Sequence, residues 1–287
     1  MRGYITEMPT VSFKNDTGSE VTVNLFGATV TSWKHEGEEF LFCSKQAVFD
    51  DKKAIRGGIP IVFPQFGPWD LGPQHGFARI KMWKQTSEAH HGDNGAVSMD
   101  FALEDDDETR KMWNKQFKLV YTVTLMQNTL ETALTVHNTG DTEFDFTTLL
   151  HTYMRVEDIY QTSLHGLEGC TFSDKVNGGE HVEDRASIII NQNYDRVYVN
   201  VDGPVNICQD IQTLGTLRIE RNNLPDVVVW NPWQEKAKAM ADLADSEYVE
   251  MLCVEAGAVS SPVVLKSGEQ KTFSQRLIIC RGQQVTL

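Results

Sequence analysis

Val21, Val23 and Leu25 alternate with Thr22 and Asn24, and the pattern breaks near Gly27 before resuming to Trp33. A period of two places every second side chain on one face, so residues 21 to 33 predict a half-buried strand in two parts. Val97, Met99, Phe101 and Leu103 repeat the pattern, as do Phe117, Leu119, Tyr121, Val123 and Leu125, then Leu130, Thr132, Leu134 and Val136. The last two segments, joined by a short polar break, predict a hairpin. Asn138-Thr139-Gly140-Asp141 is a turn, and a third strand runs from Phe144 to about Val156, so three consecutive strands form a meander. Residues 187 to 190, 196 to 201 and 205 to 221 continue the short strands, the last with a turn at Leu214-Gly215. Val227 to Trp230 is a continuous apolar run of the kind that forms a fully buried strand. Residues 249 to 254 and 272 to 280 return to strand character, with Gly268 before the latter.

Helix signals are scarce. Only residues 234 to 243, after Asn231-Pro232-Trp233, have helix-forming residues at suitable positions. The acidic run Glu104 to Glu108 reads as a solvated loop, because adjacent carboxylates repel one another and nothing spaces them as ligands. Residues 55 to 79 are different again. They hold four prolines and five glycines, so they exclude an ordinary helix or a central strand. They are also rich in Ile, Val, Phe and Trp and carry Arg56, Gln74, His75 and Arg79. A bent segment anchored by large apolar groups is a rigid loop, the usual carrier of binding groups. Many short strands, regular turns and very little helix predict an all-β, antiparallel sandwich. No linker or repeat divides the chain, so residues 1 to 287 read as one domain.

Composition narrows the function classes. The 287 residues contain 26 Lys and Arg against 40 Asp and Glu, a formal charge of -14. That field repels nucleic acid and anionic membranes on average, and neither is expected as a partner. A small anion needs a local cluster of Arg or Lys to bind. Cys43, Cys170, Cys208, Cys253 and Cys280 are odd in number and far apart, which predicts free thiols in a reducing compartment. Residues 1 to 7 contain no apolar signal-like core, and no apolar run reaches membrane-spanning length. A soluble cytoplasmic protein is expected.

Three positions invite chemistry. His151 shares its strand face with Asp145, Thr147, Leu149, Tyr153 and Arg155, a polar and aromatic face suited to a polar ligand. A structural histidine would fit the same pattern. Glu255 follows the apolar run Met251 to Val254, and if buried it would have a raised pKa useful for acid–base work. Asp195-Arg196 opens a strand, where adjacent opposite charges are commonly surface groups. His75, His151 and Glu255 could ligate a metal in principle, but no H-x-H or H-E-x-x-H pair is present, so no metal is expected. Hydrolase elbows, P-loops and dinucleotide fingerprints are also missing from the sequence.

The segments Arg56-Gly57-Gly58-Ile59-Pro60, Pro64-Gln65-Phe66-Gly67, Pro73-Gln74-His75-Gly76-Phe77-Ala78-Arg79, His151-Thr152-Tyr153, Asp195-Arg196-Val197-Tyr198, Trp230-Asn231-Pro232-Trp233 and Cys253-Val254-Glu255 together resemble the hexose-6-phosphate mutarotases. These form the glucose-6-phosphate 1-epimerase branch of the aldose 1-epimerase superfamily. The resemblance spans about residues 10 to 280. It implies a galactose-mutarotase-like β-supersandwich that interconverts the α and β anomers of a hexose 6-phosphate, without metal or organic cofactor. A monomer is expected. By the same resemblance His151 and Glu255 match the catalytic pair, and Arg56, Gln74, Arg79 and Asp195 match substrate-binding positions. His75 matches a further site histidine. Ala256 departs from the pattern, since relatives often carry proline there.

The implied chemistry suits these residue types. Glu255 would remove the proton from the C1 hydroxyl and His151 would protonate the ring oxygen, the two exchanging roles on closure. That assignment requires a charged His151, kept so by a nearby carboxylate. Arg56 and Arg79 would fork onto phosphate oxygens. A mutarotase for unphosphorylated aldoses and a non-catalytic sugar-phosphate-binding module remain the competing readings.

Overall fold

A computed structural model describes residues 9 to 92, 94 to 209 and 215 to 281. The reading of residues 1 to 7 and the Leu214 end of one predicted turn lie outside the described residues. The strands form three sheets, and every paired strand is antiparallel. A small four-stranded sheet holds Thr10–Lys14, Ser19–Asn24, Thr29–His35 and Glu38–Glu39. A ten-stranded sheet is centred on Gln270–Cys280, Thr129–Asn138 and Phe117–Met126. An eight-stranded sheet runs Glu180–Val182, Thr171–Asp174, Tyr194–Tyr198, Asp226–Asn231, Met251–Leu265, Phe144–Leu150, Ile61–Val62, with Tyr153–Arg155 also paired to Met251–Leu265. The inner faces meet in one apolar cluster that extends from Phe13 to Ile279 and includes Trp33, Phe63, Phe117, Phe146 and Phe273. Among the described residues there are two α-helices, Asp107–Met112 and Trp233–Lys238, each six residues long, and no helix is long and apolar enough to cross a membrane.

The alternating segments form strands close to where periodicity puts them: Val97–Glu104, Phe117–Met126, Thr129–Asn138 and Gln270–Cys280. Phe117–Met126 and, from Leu130 onward, Thr129–Asn138 show strict in-out alternation and pair as the predicted hairpin. The meander does not continue. Phe144–Leu150 pairs with Met251–Leu265 in the other sheet, because the free edge of Thr129–Asn138 is taken by Gln270–Cys280. The turn after Asn138 therefore crosses the sandwich. Edge choice depends on a strand more than 130 residues downstream, which local pattern cannot encode.

Two further corrections concern helices. The acidic run does not stay a loop. Asp106 caps a helix by accepting from the Thr109 N–H at 2.7 Å, while the Thr109 hydroxyl accepts from the Asp106 N–H. Asp107 and Glu108 lie in the first turn, where the exposed amides favour negative charge. Lys81 also bridges Asp106 and Glu108. The helix expected over 234 to 243 ends at Lys238 instead. Tight turns over Lys236–Met240 then carry the chain back, burying Leu243 and sending Asp242 to Arg56. Those tertiary contacts win over helix propensity.

Candidate active site

Residues 55 to 79 contribute only Ile61–Val62 to a sheet edge and one short 3-10 turn, Ala78–Ile80. The segment is stitched to the strand beside it instead. Tyr153 N–H donates to Gly58 O at 2.9 Å, His151 N–H to Pro60 O at 3.0 Å and Thr147 N–H to Pro64 O at 2.8 Å. Two glycines make the close approach possible. A Cβ at Gly58 would sit 2.1 Å from Val30 O, and one at Gly76 2.1 Å from Phe63 O, and both residues have positive φ. His75 also takes a positive φ of 67°, a conformation that costs a non-glycine residue energy and is held here by its surroundings.

His151 lies between Phe144–Leu150 and Tyr153–Arg155 rather than inside the continuous strand expected over 144 to 156. Thr152 turns its N–H back to Leu150 O at 2.8 Å, interrupting the ladder, while the register to Met251–Leu265 is the same on both sides. His151 and Tyr153 still share a face, with rings stacked 4.8 Å apart at 10°. Glu255 stands on the central strand Met251–Leu265, opposite Val228, and is 1% exposed.

These elements bring all seven predicted residues into one cavity of about 450 Å³. His151, Glu255, Arg56, Gln74, His75, Arg79 and Asp195 line it together with Phe66, Lys175, Trp230 and Met240. His151 Nδ1 and Glu255 Oε1 are 3.4 Å apart, within ion-pair reach but not aligned as a hydrogen bond, and Glu255 Oε2 has no partner. Arg79 Nε is likewise unpartnered, and its Nη2 donates to Gln74 O at 2.8 Å. Arg56 is tightly held. It donates through Nε and Nη2 to the two oxygens of Asp242 at 3.1 and 3.2 Å, and through Nη1 to Tyr153 Oη at 3.0 Å.

Electrostatics correct one expectation. No carboxylate keeps His151 charged. Burial pushes its pKa well below the ordinary value, and the nearby His75, Arg79 and Arg56 push it the same way. Glu255 moves in the opposite direction, raised well above the ordinary carboxyl value first by burial and then by Asp195. The two shifts favour a neutral imidazole beside a protonated carboxyl. His75 falls to about 3 through burial and the charges of Arg79 and Arg56. Its Nδ1 accepts from the Gly67 N–H at 3.2 Å, so the neutral ring carries its proton on Nε2. Asp195 is raised by burial, and Lys236 and Lys175 oppose that rise. It is half-buried and faces the cavity, not the surface position that its pairing with Arg196 suggested.

Donor atoms of His151, Cys253 and Glu255 all lie within 4.8 Å of one another, the one such group with metal-ligand chemistry among the described residues. Burial raises the Cys253 thiol well above its usual range, the opposite of what a metal thiolate needs. Tyr153 was reachable by alternation from His151. Lys175, Met240 and Asp242 were not, because each arrives from a loop remote in sequence.

The aldose 1-epimerase family profile matches residues 9–277. A provisionally named glucose-6-phosphate 1-epimerase from Cenchrus ciliaris is 38% identical over 256 residues, covering 86% of this chain and 78% of that protein. A second, from Escherichia coli K12, is 36% identical over 240 residues, covering 82% and 79%. The crystal structure of a provisionally named mutarotase from Salmonella typhimurium superposes with a TM-score of 0.86 at 31% identity, over 95% of this chain and 90% of that one. Galactose 1-epimerase from Lactobacillus acidophilus superposes with a TM-score of 0.73 at 16% identity, over 96% of this chain and 100% of that one, a likeness of fold. The sandwich is thus of the galactose-mutarotase type, and the chain belongs to the aldose 1-epimerase family.

Proposed function

We propose that this protein interconverts the α and β anomers of a hexose 6-phosphate. The observation that carries the reading is the meeting, in one cavity, of an unsatisfied His151–Glu255 pair with Arg56 and Arg79. Names given to the two relatives above agree with it. Glu255 takes the proton from the C1 hydroxyl as His151 delivers one to the ring oxygen. The ring opens, the C1–C2 bond rotates, and closure on the other face reverses both transfers. The pair needs one proton between its two members, and the ring-opening step needs it on His151. A dianionic substrate beside Arg56 and Arg79 offsets the charges that depress His151 and so favours that state. Asp195 and Gln74 accept and donate to sugar hydroxyls, orienting the ring. His75 Nε2–H adds a neutral donor. Five unpaired cysteines suit the cytoplasm.

Exchange NMR on equilibrated glucose 6-phosphate tests this directly. Added protein should exchange the two anomeric signals, and unchanged signals would sink the enzyme reading. Arg79→Gln should raise KM for glucose 6-phosphate roughly 10- to 100-fold, on the scale of a lost charge-assisted hydrogen bond, with little change for glucose. Equal effects on both sugars would instead favour a mutarotase for unphosphorylated aldoses.

A further inference from the structure

A hydrogen bond on one ring nitrogen is the common way to orient a working histidine. His151 has none at Nδ1, which is buried without a partner, and Glu255 Oε1, at 3.4 Å, is not aligned to supply one. The main chain is fixed by the bond from His151 N–H to Pro60 O, but that bond does not set the side chain. Three rings surround the imidazole instead. Tyr153 lies flat against it, with centroids 4.8 Å apart and planes 10° from parallel. Trp230 and His75 meet it nearly at right angles, at 6.2 and 5.9 Å. Tyr153 is itself anchored at both ends. Its N–H donates to Gly58 O and its carbonyl accepts from Phe42 N–H, each at 2.9 Å. Its Oη accepts from Arg56 Nη1 at 3.0 Å, and Asp242 holds Arg56 through two further nitrogens. Phe42 stacks on the phenol at 6.5 Å, and Trp230 meets it at 6.0 Å and 81°.

We infer that Tyr153 is a positioning residue for His151: its phenol ring, rather than a hydrogen bond, sets the plane of the imidazole and so the direction in which the proton is delivered. A flat neighbour that cannot turn leaves the imidazole little room to rotate. The same stack suits the charge that His151 must carry. The face of an aromatic ring attracts a cation lying within about 6 Å of its centre, so the phenol favours the imidazolium needed for ring opening. Alternation along the strand puts residues 151 and 153 on one face, and the bonds from Gly58 and Phe42 lock the second of them there. The reaction served by this orientation rests on the epimerase reading, whereas the order of the ring does not.

The test compares the wild type with three variants. Tyr153→Leu removes the ring. Tyr153→Phe keeps the ring and loses the acceptor for Arg56. Phe42→Leu removes a neighbouring ring of the same apolar cluster that does not line the cavity. Exchange NMR with glucose 6-phosphate gives kcat and KM, and carbon relaxation of labelled histidine gives the order of the His151 ring. Tyr153→Leu should lower kcat roughly 10- to 100-fold, the scale of a misplaced reacting group, and should loosen the His151 ring. Its KM should change by less than about threefold, because ground-state contacts are kept. Tyr153→Phe and Phe42→Leu should each keep kcat within about threefold of the wild type, with an ordered ring. If Tyr153→Leu does not fold, Tyr153→Met, unbranched and flexible, carries the same expectation. A His151 ring that is mobile in the wild type, or as ordered without the phenol as with it, overturns the positioning role. So does Tyr153→Phe or Phe42→Leu slowing exchange as much as Tyr153→Leu. A wild type inert toward glucose 6-phosphate, with a ring whose order depends on Tyr153, upholds the positioning role and overturns the epimerase reading.

Discussion

Two buried glutamates, Glu183 and Glu255, show what separates a structural carboxylate from a reactive one. Asp195 and Arg196 are neighbours on Tyr194–Tyr198, and alternation sends them to different faces. Asp195 faces the cavity with Glu255. Arg196 faces away, ion-paired to Asp174 and Glu183 and lying over the rings of Phe172 and Tyr194. Glu183 is 2% exposed, almost the same as Glu255. Yet Glu183 accepts from Arg185 Nε at 2.7 Å and Nη2 at 2.8 Å, and from Tyr198 Oη at 2.9 Å. These partners outweigh burial and lower its pKa. Glu255 has a distant imidazole on one oxygen and nothing on the other, so burial dominates and its pKa rises. Equal burial gives opposite outcomes because only one carboxylate is paid back in hydrogen bonds. An unsatisfied buried group is a stability cost that a binding site retains for its ligand.

The sharpest break of this comparison is activity. Glu255→Gln should slow anomer exchange by roughly 10² to 10⁴, since a carboxamide cannot take the C1 proton. Glu183→Gln should leave kcat per folded molecule unchanged, and exchange NMR on both variants reads the contrast. Stability should respond the other way round. Removing the charge of Glu183 leaves Arg196 facing fewer partners and should cost toward the lower end of roughly 3–5 kcal/mol by urea unfolding, because Arg185 can reach water.

The pH dependence carries opposite signs. The folded-state pKa of Glu183 lies below the unfolded value of 4.5, so its contribution is present above that value and is lost as pH falls through the folded one. Glu255 is raised above 4.5, so its favourable neutral form is fully present below 4.5 and is lost as pH rises through the folded pKa. Glu255→Gln should therefore match the wild type near pH 4 and become the more stable of the two at alkaline pH. The gain is about 1.4 kcal/mol for each unit of upward displacement. A stability difference that stays flat with pH would remove the desolvated carboxylate from the account. The smallest effect concerns His151. Its ring should stay neutral near pH 6.5, where an ordinary imidazole is half protonated, and gain proton character when phosphate is added, because an anion beside Arg56 and Arg79 relieves their repulsion. Ring carbon shifts in NMR report this, and no change on phosphate addition would detach His151 from the cationic wall.

Much of the architecture was legible locally. Strict alternation along Phe117–Met126 and Thr129–Asn138 determines two half-buried strands, since a one-residue slip would turn every apolar group outward. The prolines and glycines of residues 55 to 79 rule out a long helix or strand there, and the family resemblance carried by that stretch and by the His151, Asp195 and Glu255 segments points to seven of the residues that line the cavity. Tertiary structure decided the rest. It sent Phe144–Leu150 across the sandwich because the nearer edge was taken. It turned an acidic run into a capped helix through Thr109 and Lys81. It set the proton preference of His151 and Glu255, because pKa depends on burial and on charges such as Arg79 and Asp195 that are distant in sequence. Pattern along a chain specifies which face a side chain takes; what meets it on that face is fixed only when remote segments pack together.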